Sequence, residues 1–324
     1  MKKLKQILLV SLCILLFGGC KNNNIVEELT KKIENTKSYQ LTGTLEIIND
    51  ENSYMYDVDV KYLKENNFKV SLKNKTNNHE QVILRNDEGV YVLTPSLNKS
   101  FKFQSEWPYN NSQSYILQNI IKDIKNDEEH KLEKQDENYI ITTKVNYPNN
   151  KELVNEKIYI NKDKNIEKIE VLDENNNIKI KMTIDNIDYN ANNNTDIFKL
   201  ENNLTVSNEQ PTSKLEEIIY PMYLPKNTYL QSEDKVSNET GERVIMTFKG
   251  DYPFMLIQET INQNETITSV KGEPYQLATT IGIIDETSLT WFDEKAEYYL
   301  VSNELATEEL IEVANSLTAA AIEK

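Results

Sequence analysis

The chain has 324 residues, and its 36 Lys and Arg against 52 Asp and Glu give a formal net charge of -16 at pH 7. This length is sufficient for two domains of ordinary size. Aromatic residues make up 9% of the sequence, with 18 Tyr, which is too many for a disordered chain. Because an acidic surface is repelled by phosphate groups, we expect no nucleic-acid partner.

The first twenty residues have the organisation of a bacterial lipoprotein signal. Three lysines, at positions 2, 3 and 5, precede an apolar stretch at 7–17, which is too short to cross the roughly 30 Å hydrocarbon core of a bilayer. The proportions are those of a secretory signal peptide over residues 1–19. Leu16-Phe17-Gly18-Gly19-Cys20 then looks like a lipobox, in which diacylglycerol is attached to the cysteine. A plain signal peptide or an N-terminal anchor is the alternative.

Lipidation at Cys20 would leave residues 20–24 as a polar tether between the lipid and the folded chain. Cys13 leaves with the signal peptide, so neither a disulfide nor a cysteine metal site remains. Removal of the three lysines lowers the net charge from -16 to -19. Because so acidic a protein does not bind an anionic membrane through its own side chains, we expect the lipid to be its membrane anchor.

Residues 25–200 show helix and strand patterns that predict a curved antiparallel sheet. Apolar residues at helical spacing predict a helix at 25–36, and a second helix is expected near 112–125 with Ser112 as a candidate N-cap. Elsewhere, apolar and polar residues alternate with the period of two that marks half-buried strands. The predicted strands lie at 54–62, 68–72, 80–86, 89–94 and 99–104, and around 139–145, 158–160, 169–171 and 178–184. This order fits a large sheet wrapped around helices.

The remainder of the chain predicts a second, smaller domain at 214–324. The polar segment 201–213 is interpreted as a linker. The last helix is expected at 307–320, with Glu308 and Glu309 near its positive N-terminus. Strands are expected around 244–248, 254–256, 279–284, 288–292 and 298–300. The predicted fold class is therefore α+β, with an N-terminal half-barrel followed by a smaller C-terminal α+β domain.

No pattern of catalytic or metal-binding residues stands out. His79 and His130 lie far apart in polar segments, without HExxH spacing, and are interpreted as exposed loop residues. Ser96 and Lys99 match SxxK, but the proline before Ser96 predicts a turn into a strand, where such serine enzymes need a helix. The segment beginning at Asp173 resembles the start of an EF-hand loop but lacks the required glycine and glutamate, so we interpret it as a hairpin turn. We expect no enzyme activity, no cofactor and no metal.

Aromatic residues in the connection before the second helix are candidates for protein binding. Trp107-Pro108-Tyr109 follows a strand with two phenylalanines on one face. Aromatic side chains dominate hot spots at protein interfaces, so Trp107, Pro108 and Tyr109 are candidate partner-binding residues. The alternative is that they close the mouth of the sheet as part of its core. A similar segment, 220–225, is expected to pack at the edge of the second domain.

Taken together, these segments resemble the LolA/LolB/RseB-type lipoprotein-carrier superfamily over residues 25–200. The similarity is carried by the lipobox ending at Cys20 and by three tracts: Glu88-Gly89-Val90-Tyr91-Val92-Leu93-Thr94-Pro95, Asn98-Lys99-Ser100-Phe101-Lys102-Phe103 and Ser105-Glu106-Trp107-Pro108. It is closest to the Gram-positive sporulation branch, the germination lipoprotein GerS and its relatives. Residues 214–324 resemble a domain of unknown function appended to such proteins, on the basis of Tyr223-Leu224-Pro225 and Leu289-Thr290-Trp291-Phe292.

The resemblance implies a half-barrel of antiparallel strands closed by helices, and a role without catalysis. GerS-type proteins partner an N-acetylmuramoyl-L-alanine amidase, so that cortex peptidoglycan acquires muramic-δ-lactam, the mark that germination enzymes recognise. The first hypothesis is therefore a lipid-anchored protein of the spore envelope that supports such an amidase. Two alternatives stay open. One is a carrier that holds an acyl chain or a lipoprotein on the concave face, and the other is an envelope-stress sensor whose C-terminal half reads a signal.

Overall fold

The computed structural model describes residues 23–49, 52–204, 214–238, 241–261, 267–293 and 295–320. The predicted signal peptide, Cys20 and most of the predicted linker lie outside these residues. Three α-helices are found in the described ranges: α1 (Asn23–Asn35), α2 (Leu117–Asn126) and α3 (Thr307–Ala320). None of the helices described is long and apolar enough to span a membrane.

Nineteen strands in the same ranges form two sheets. The first eleven are β1 (Ser38–Asn49), β2 (Asn52–Leu63), β3 (Asn67–Asn74), β4 (Glu80–Asn86), β5 (Gly89–Thr94), β6 (Lys99–Phe103), β7 (Lys131–Gln135), β8 (Asn138–Lys144), β9 (Asn155–Ile160), β10 (Ile166–Leu172) and β11 (Ile178–Asp188). The other eight are β12 (Thr228–Asn238), β13 (Gly241–Gly250), β14 (Phe254–Glu259), β15 (Ile267–Val270), β16 (Glu273–Gln276), β17 (Ile281–Asp285), β18 (Ser288–Phe292) and β19 (Glu297–Val301).

The first sheet forms the half-barrel, in the order β15-β6-β5-β4-β3-β2-β1-β11-β10-β9-β8-β7. Leu41 of β1 lies opposite Val60 of β2, which lies opposite Val70 of β3, and all three are buried on one face. That face is covered by apolar side chains of the two N-terminal helices, because each helix repeats them at helical spacing. They are Ile25, Leu29 and Ile33 of α1 and Leu117, Ile120, Ile121 and Ile124 of α2. The half-barrel is thus wrapped around its own helices.

The second sheet contains the other seven strands, in the order β12-β13-β14-β19-β18-β17-β16, and packs one face against α3. Leu310 and Val313 of α3 meet Leu256, Trp291 and Leu300 of the sheet in a second core, and all five are almost fully buried. The predicted fold class is confirmed: a curved sheet wrapped around helices is followed by a smaller α+β unit.

Several predicted details are wrong. The sequence prediction missed β1, β7, β12, β15 and β16. Helix α2 begins at Leu117 with Ile116 as its N-cap residue, so Ser112 does not cap it. Ser112 bonds to another segment instead: its hydroxyl accepts a hydrogen bond from the backbone N–H of Asn146 at 2.8 Å.

The segment 220–225 also differs from its prediction. Tyr223 packs against the second core, as expected for the edge of this unit. Tyr220 and Met222, however, are 45% and 71% exposed. The expected packing of the segment is therefore wrong for these two side chains.

Candidate functional site

The two halves of the chain meet along a seam that backbone and side-chain contacts hold together. Strand β15 of the second half pairs in parallel with β6 of the half-barrel. The buried amide oxygen of Gln81 accepts hydrogen bonds from Thr280 Oγ1, at 3.0 Å, and from the backbone N–H of Ile281. Phe101 packs on Phe292 with ring centroids 4.7 Å apart. The two halves are therefore joined by strand pairing, by hydrogen bonds to a buried amide and by an aromatic contact, which are the kinds of contact found inside a single folded domain.

Trp107 lies in the core of the half-barrel and is 1% exposed. Its ring packs edge-on against Phe68, with centroids 6.2 Å apart. Pro108 is buried and Tyr109 is half-buried, with the Tyr109 hydroxyl donating to Asn66 Oδ1 at 2.6 Å. These contacts favour the interpretation in which the segment closes the half-barrel. Partner binding by Trp107, Pro108 and Tyr109 stays a prediction.

A small apolar chamber lies beside Trp107. Its volume is about 70 Å³, and its walls include Leu45, Ile83, Tyr115 and Ile281. Since a water molecule takes roughly 30 Å³ of liquid, the chamber has room for about two waters or one small aliphatic group. Pockets that hold whole small-molecule ligands measure roughly 300–1,000 Å³. The chamber by itself is therefore smaller than such pockets.

Next to the chamber lies a wider space of about 250 Å³, which we call the seam groove. The two spaces are adjacent, since five residues line both: Ile47, Leu153, Ile180, Tyr275 and Gln276. The half-barrel thus supplies one wall and the second half supplies the opposite one. Helix α3 adds a further set of residues to that opposite wall: Glu308, Ile311, Glu312 and Asn315.

Acidic side chains dominate the mouth of the seam groove. Glu152 and Glu308 line it together with a second glutamate of α3, and Lys179 is the one basic residue among the described residues that line it. Burial raises the pKa of Tyr275 to about 12; a hydrogen bond from Asn150 opposes the rise, and the charges of Glu152 and Glu308 add to it. The mouth therefore carries a negative potential that attracts cationic groups.

Two buried carboxyl groups lie inside the half-barrel, one on α2 and one on β9. Asp123 is 7% exposed and Glu156 is 1% exposed. Burial raises the pKa of Asp123 to about 6, against the opposing effects of a hydrogen bond from Ser112 and the charge of Lys122. Burial also raises the pKa of Glu156 well above its ordinary value, and the charge of Asp123 raises it further. Burial therefore disfavours the ionised form of both carboxyl groups.

The histidines lie outside the seam groove. His79 is 4% exposed, in the hairpin between β3 and β4, so its interpretation as an exposed loop residue is wrong. His130 is half-buried, with Nδ1 2.8 Å from the backbone oxygen of Asp127. In the part of the chain that the structure describes, no group of three or more His, Cys, Asp or Glu is arranged to hold a metal ion.

The two short motif matches have the local structure that the sequence predicts. Ser96 lies in a single 3₁₀ turn between β5 and β6, and Lys99 is the first residue of β6. Asp173 lies between β10 and β11, where its carboxylate accepts hydrogen bonds from the backbone N–H groups of Asn175 and Asn177 at 2.9 and 2.8 Å. The first match is therefore a turn into a strand and the second a hairpin turn.

The residues of the seam groove were not singled out by the sequence. Tyr275 and Gln276 belong to a strand of only four residues, which is too short for a clear alternation. Glu152 lies in a polar segment, where a further charged residue gives no signal of a binding site. One signal was available in the sequence: Ile47 and Ile48 are adjacent apolar residues near the end of a strand. In a strand with one buried face only every second residue should be apolar, so this pair indicates an apolar surface on both faces.

The open curved sheet wrapped around helices has distant matches among solved structures. A crystal structure of MucB is 12% identical, with 94% of this chain and 98% of MucB covered and a TM-score of 0.36. The CwlD amidase of Clostridioides difficile in complex with the GerS lipoprotein gives 18% identity, with 50% of this chain and 92% of the matched chain covered and a TM-score of 0.23. At these identities the likeness concerns the fold alone.

Comparison of sequences is more specific than comparison of folds. The family model described as "Sporulation protein YdcC-like" matches residues 1–198. The "Sporulation protein YdcC" of Bacillus subtilis (strain 168) is 33% identical over 332 residues, which cover 98% of each chain. The present chain belongs to the YdcC-like sporulation protein family.

Proposed function

We propose that this protein is a lipid-anchored, non-enzymatic envelope protein of sporulating cells that binds a cell-wall N-acetylmuramoyl-L-alanine amidase. Membership of a sporulation protein family supports the cellular setting. The resemblance of residues 25–200 to the GerS-type lipoproteins supports the choice of partner. In this role the protein holds the amidase at the outer face of the membrane.

One observation carries the proposal: the interior of the half-barrel is filled, whereas the seam between the two halves is open. The chamber inside the half-barrel measures about 70 Å³ and the seam groove about 250 Å³. A carrier needs a large apolar cavity, since ligand pockets bury most of the ligand's surface. A protein that binds another protein needs an accessible groove with apolar depth and a polar rim. The seam groove has both properties.

An acyl-chain carrier is the other function that the fold suggests. In that role α1 or α2 would have to leave the concave face of the sheet. Leu29 of α1 and Ile120 of α2 are 2% and 1% exposed and belong to the same core as Trp107. Burying one such side chain contributes about 1.5–3 kcal/mol, so exposing several of them is costly. We therefore favour protein binding.

Direct binding tests the proposal. The detergent-solubilised full chain and a purified sporulation amidase of the N-acetylmuramoyl-L-alanine class should form a stable complex by titration calorimetry. The protein alone should release no peptide from purified peptidoglycan. Hydrolysis by the isolated protein would contradict the non-enzymatic role. The absence of a complex, together with saturable binding of a fluorescent fatty acid, would support the carrier instead.

Replacing Cys20 with alanine should release the protein from the membrane and leave its fold intact. The two acyl chains of a diacylglycerol are required for stable residence, because a single chain binds only marginally. The net charge of -16 opposes binding to anionic lipid. Fractionation of cells after a high-salt wash measures the effect. If the Cys20→Ala protein still sediments with membranes, Cys20 is not the anchor.

A further inference from the structure

We infer that the seam groove binds an extended segment of the partner protein, with one small aliphatic side chain in the chamber and Lys or Arg side chains at the acidic mouth. The inference rests on the proposed protein-binding function and specifies the site and the chemistry of the segment. Three observations support the inference: the shape of the groove, a buried hydrogen-bond acceptor in its wall that has no partner among the described residues, and the negative charge at its mouth.

The shape of the groove selects a single short side chain. Ile47, Leu153 and Ile180 line both the groove and the chamber, so apolar side chains lie where the two spaces meet. The chamber of about 70 Å³, which Trp107 helps to line, accommodates a group of valine or alanine size. An extended peptide meets this geometry because alternate side chains of a strand point the same way.

The amide of Gln276 offers the segment a hydrogen-bond acceptor. Its Nε2 donates to the carbonyl oxygens of Leu277, at 2.8 Å, and Thr280, at 3.2 Å, which fixes the orientation of the amide. Its Oε1 is buried and has no hydrogen-bond partner among the described residues. A buried acceptor left unpaired is unfavourable. Since Gln276 lines both the chamber and the groove, a backbone N–H of a bound segment is suitably placed to pair with it.

The charge of the mouth selects a basic segment. Glu152 is exposed and Glu308 is half-buried, and neither forms an ion pair within the described residues. Complementary charges at the rim of an interface steer association and suppress wrong partners. An anionic lipid headgroup is repelled by this rim. A second copy of the chain is disfavoured as well, because each copy has a net charge of -16.

Three synthetic peptides test the inference against the detergent-solubilised full chain. They are acetyl-KKVKK-amide, its glycine analogue acetyl-KKGKK-amide and its acidic analogue acetyl-EEVEE-amide. We expect the first to bind at least tenfold more tightly than either of the others, as measured by fluorescence anisotropy of labelled peptides. Equal binding of the valine and glycine peptides would overturn the inference, because the chamber would then contribute nothing.

Charge reversal locates the site. The double variant Glu152→Lys/Glu308→Lys should weaken binding of the valine peptide at least tenfold. The matched control Glu133→Lys/Glu137→Lys changes the net charge equally, at exposed positions of the β7–β8 hairpin on the far edge of the first sheet, and should change binding less than twofold. If reversal at Glu308, in the first turn of α3, lowers the melting temperature, Glu152→Lys alone provides the comparison. Equal losses in the seam and control variants would overturn the inference.

The amidase separates this inference from the proposed function. If the amidase binds the full chain but the seam variants leave its affinity unchanged, the assignment of the groove is wrong and the proposed function stands. If the amidase does not bind while the valine peptide binds in a seam-dependent way, the amidase proposal is wrong and the groove inference stands. A parallel loss of peptide and amidase affinity in the seam variants supports both.

Discussion

Replacing Trp107 with alanine should lower the free energy of unfolding by about 3–5 kcal/mol, the range found for large-to-small changes in protein cores. The indole is 1% exposed, packs edge-on against Phe68 and lines the chamber, so its removal enlarges an existing cavity in the core. The backbone carbonyl of Trp107, which accepts a hydrogen bond from Arg85, is retained in the variant. Urea unfolding followed by circular dichroism measures the change.

Tyr109→Ala is the matched control, because Tyr109 lies two residues further along the same connection and is only half-buried. Its loss of stability should be smaller, about 1 kcal/mol. The folded Trp107→Ala protein should still bind the amidase, because the substitution enlarges the chamber but leaves the acidic mouth of the seam groove unchanged. An unchanged unfolding curve combined with lost amidase binding would establish the other interpretation of Trp107, as a partner contact.

Replacing Asp123 with asparagine should stabilise the protein by about 2–3 kcal/mol at pH 8 and flatten its dependence on pH. Burial raises the pKa of Asp123 from 3.8 to about 6, and each pKa unit corresponds to about 1.4 kcal/mol. Between pH 4 and pH 6 the folded protein binds more protons than the unfolded chain, so the free energy of unfolding falls as the pH rises through this window. Asparagine removes the ionisation and keeps an oxygen that accepts the hydrogen bond from Ser112.

Asp127→Asn is the control of opposite sign. Although burial opposes it, hydrogen bonds from the backbone N–H groups of Lys144 and Glu129 and from the Thr143 hydroxyl hold the pKa of Asp127 below its ordinary value. A carboxyl group whose pKa is lowered by folding stabilises the folded state at pH values above its pKa in the unfolded chain. This stabilisation is lost as the pH falls. Asp127→Asn should therefore lower stability at pH 7. The role of Asp123 would be contradicted if the free energy of unfolding of the wild type rose between pH 4 and pH 6 and the Asp123→Asn variant showed the same dependence on pH.

The strands that the sequence predicts well are those with one buried and one solvated face. In β2, Val58 is buried while Asp57 is exposed, and the alternation is plain. Strand β1 was missed because Gly43 interrupts the alternation and Ile47-Ile48 breaks it again. Glycine is required at position 43, since a side chain there would meet the backbone oxygen of Thr183 at 2.1 Å. Strand β12 was missed because an edge strand with exposed, charged residues has no apolar face to detect.

The candidate site could be predicted only in part, because its walls come from distant segments. The two phenylalanines before Trp107 indicated a strand face that needs cover, but nothing local identified Phe292 as the residue that covers Phe101. The seam groove requires Ile180, Tyr275 and Ile311 to meet, and these residues belong to β11, β16 and α3. Local periodicity reports which side of an element is buried but not which element buries it.

The parallel pairing of β15 with β6 joins a strand of the first half of the chain to one that is synthesised much later. The first half of the chain emerges with β6 as an open edge, and its neighbouring strand arrives only with residues 267–270. An unpaired strand edge is a template for association with other chains, and pairing across so long a stretch of sequence is slow. A fragment that ends at residue 204 would retain this edge permanently and leave Phe101 without its aromatic cover. The second half thus supplies both the strand that pairs with β6 and the aromatic ring that covers Phe101.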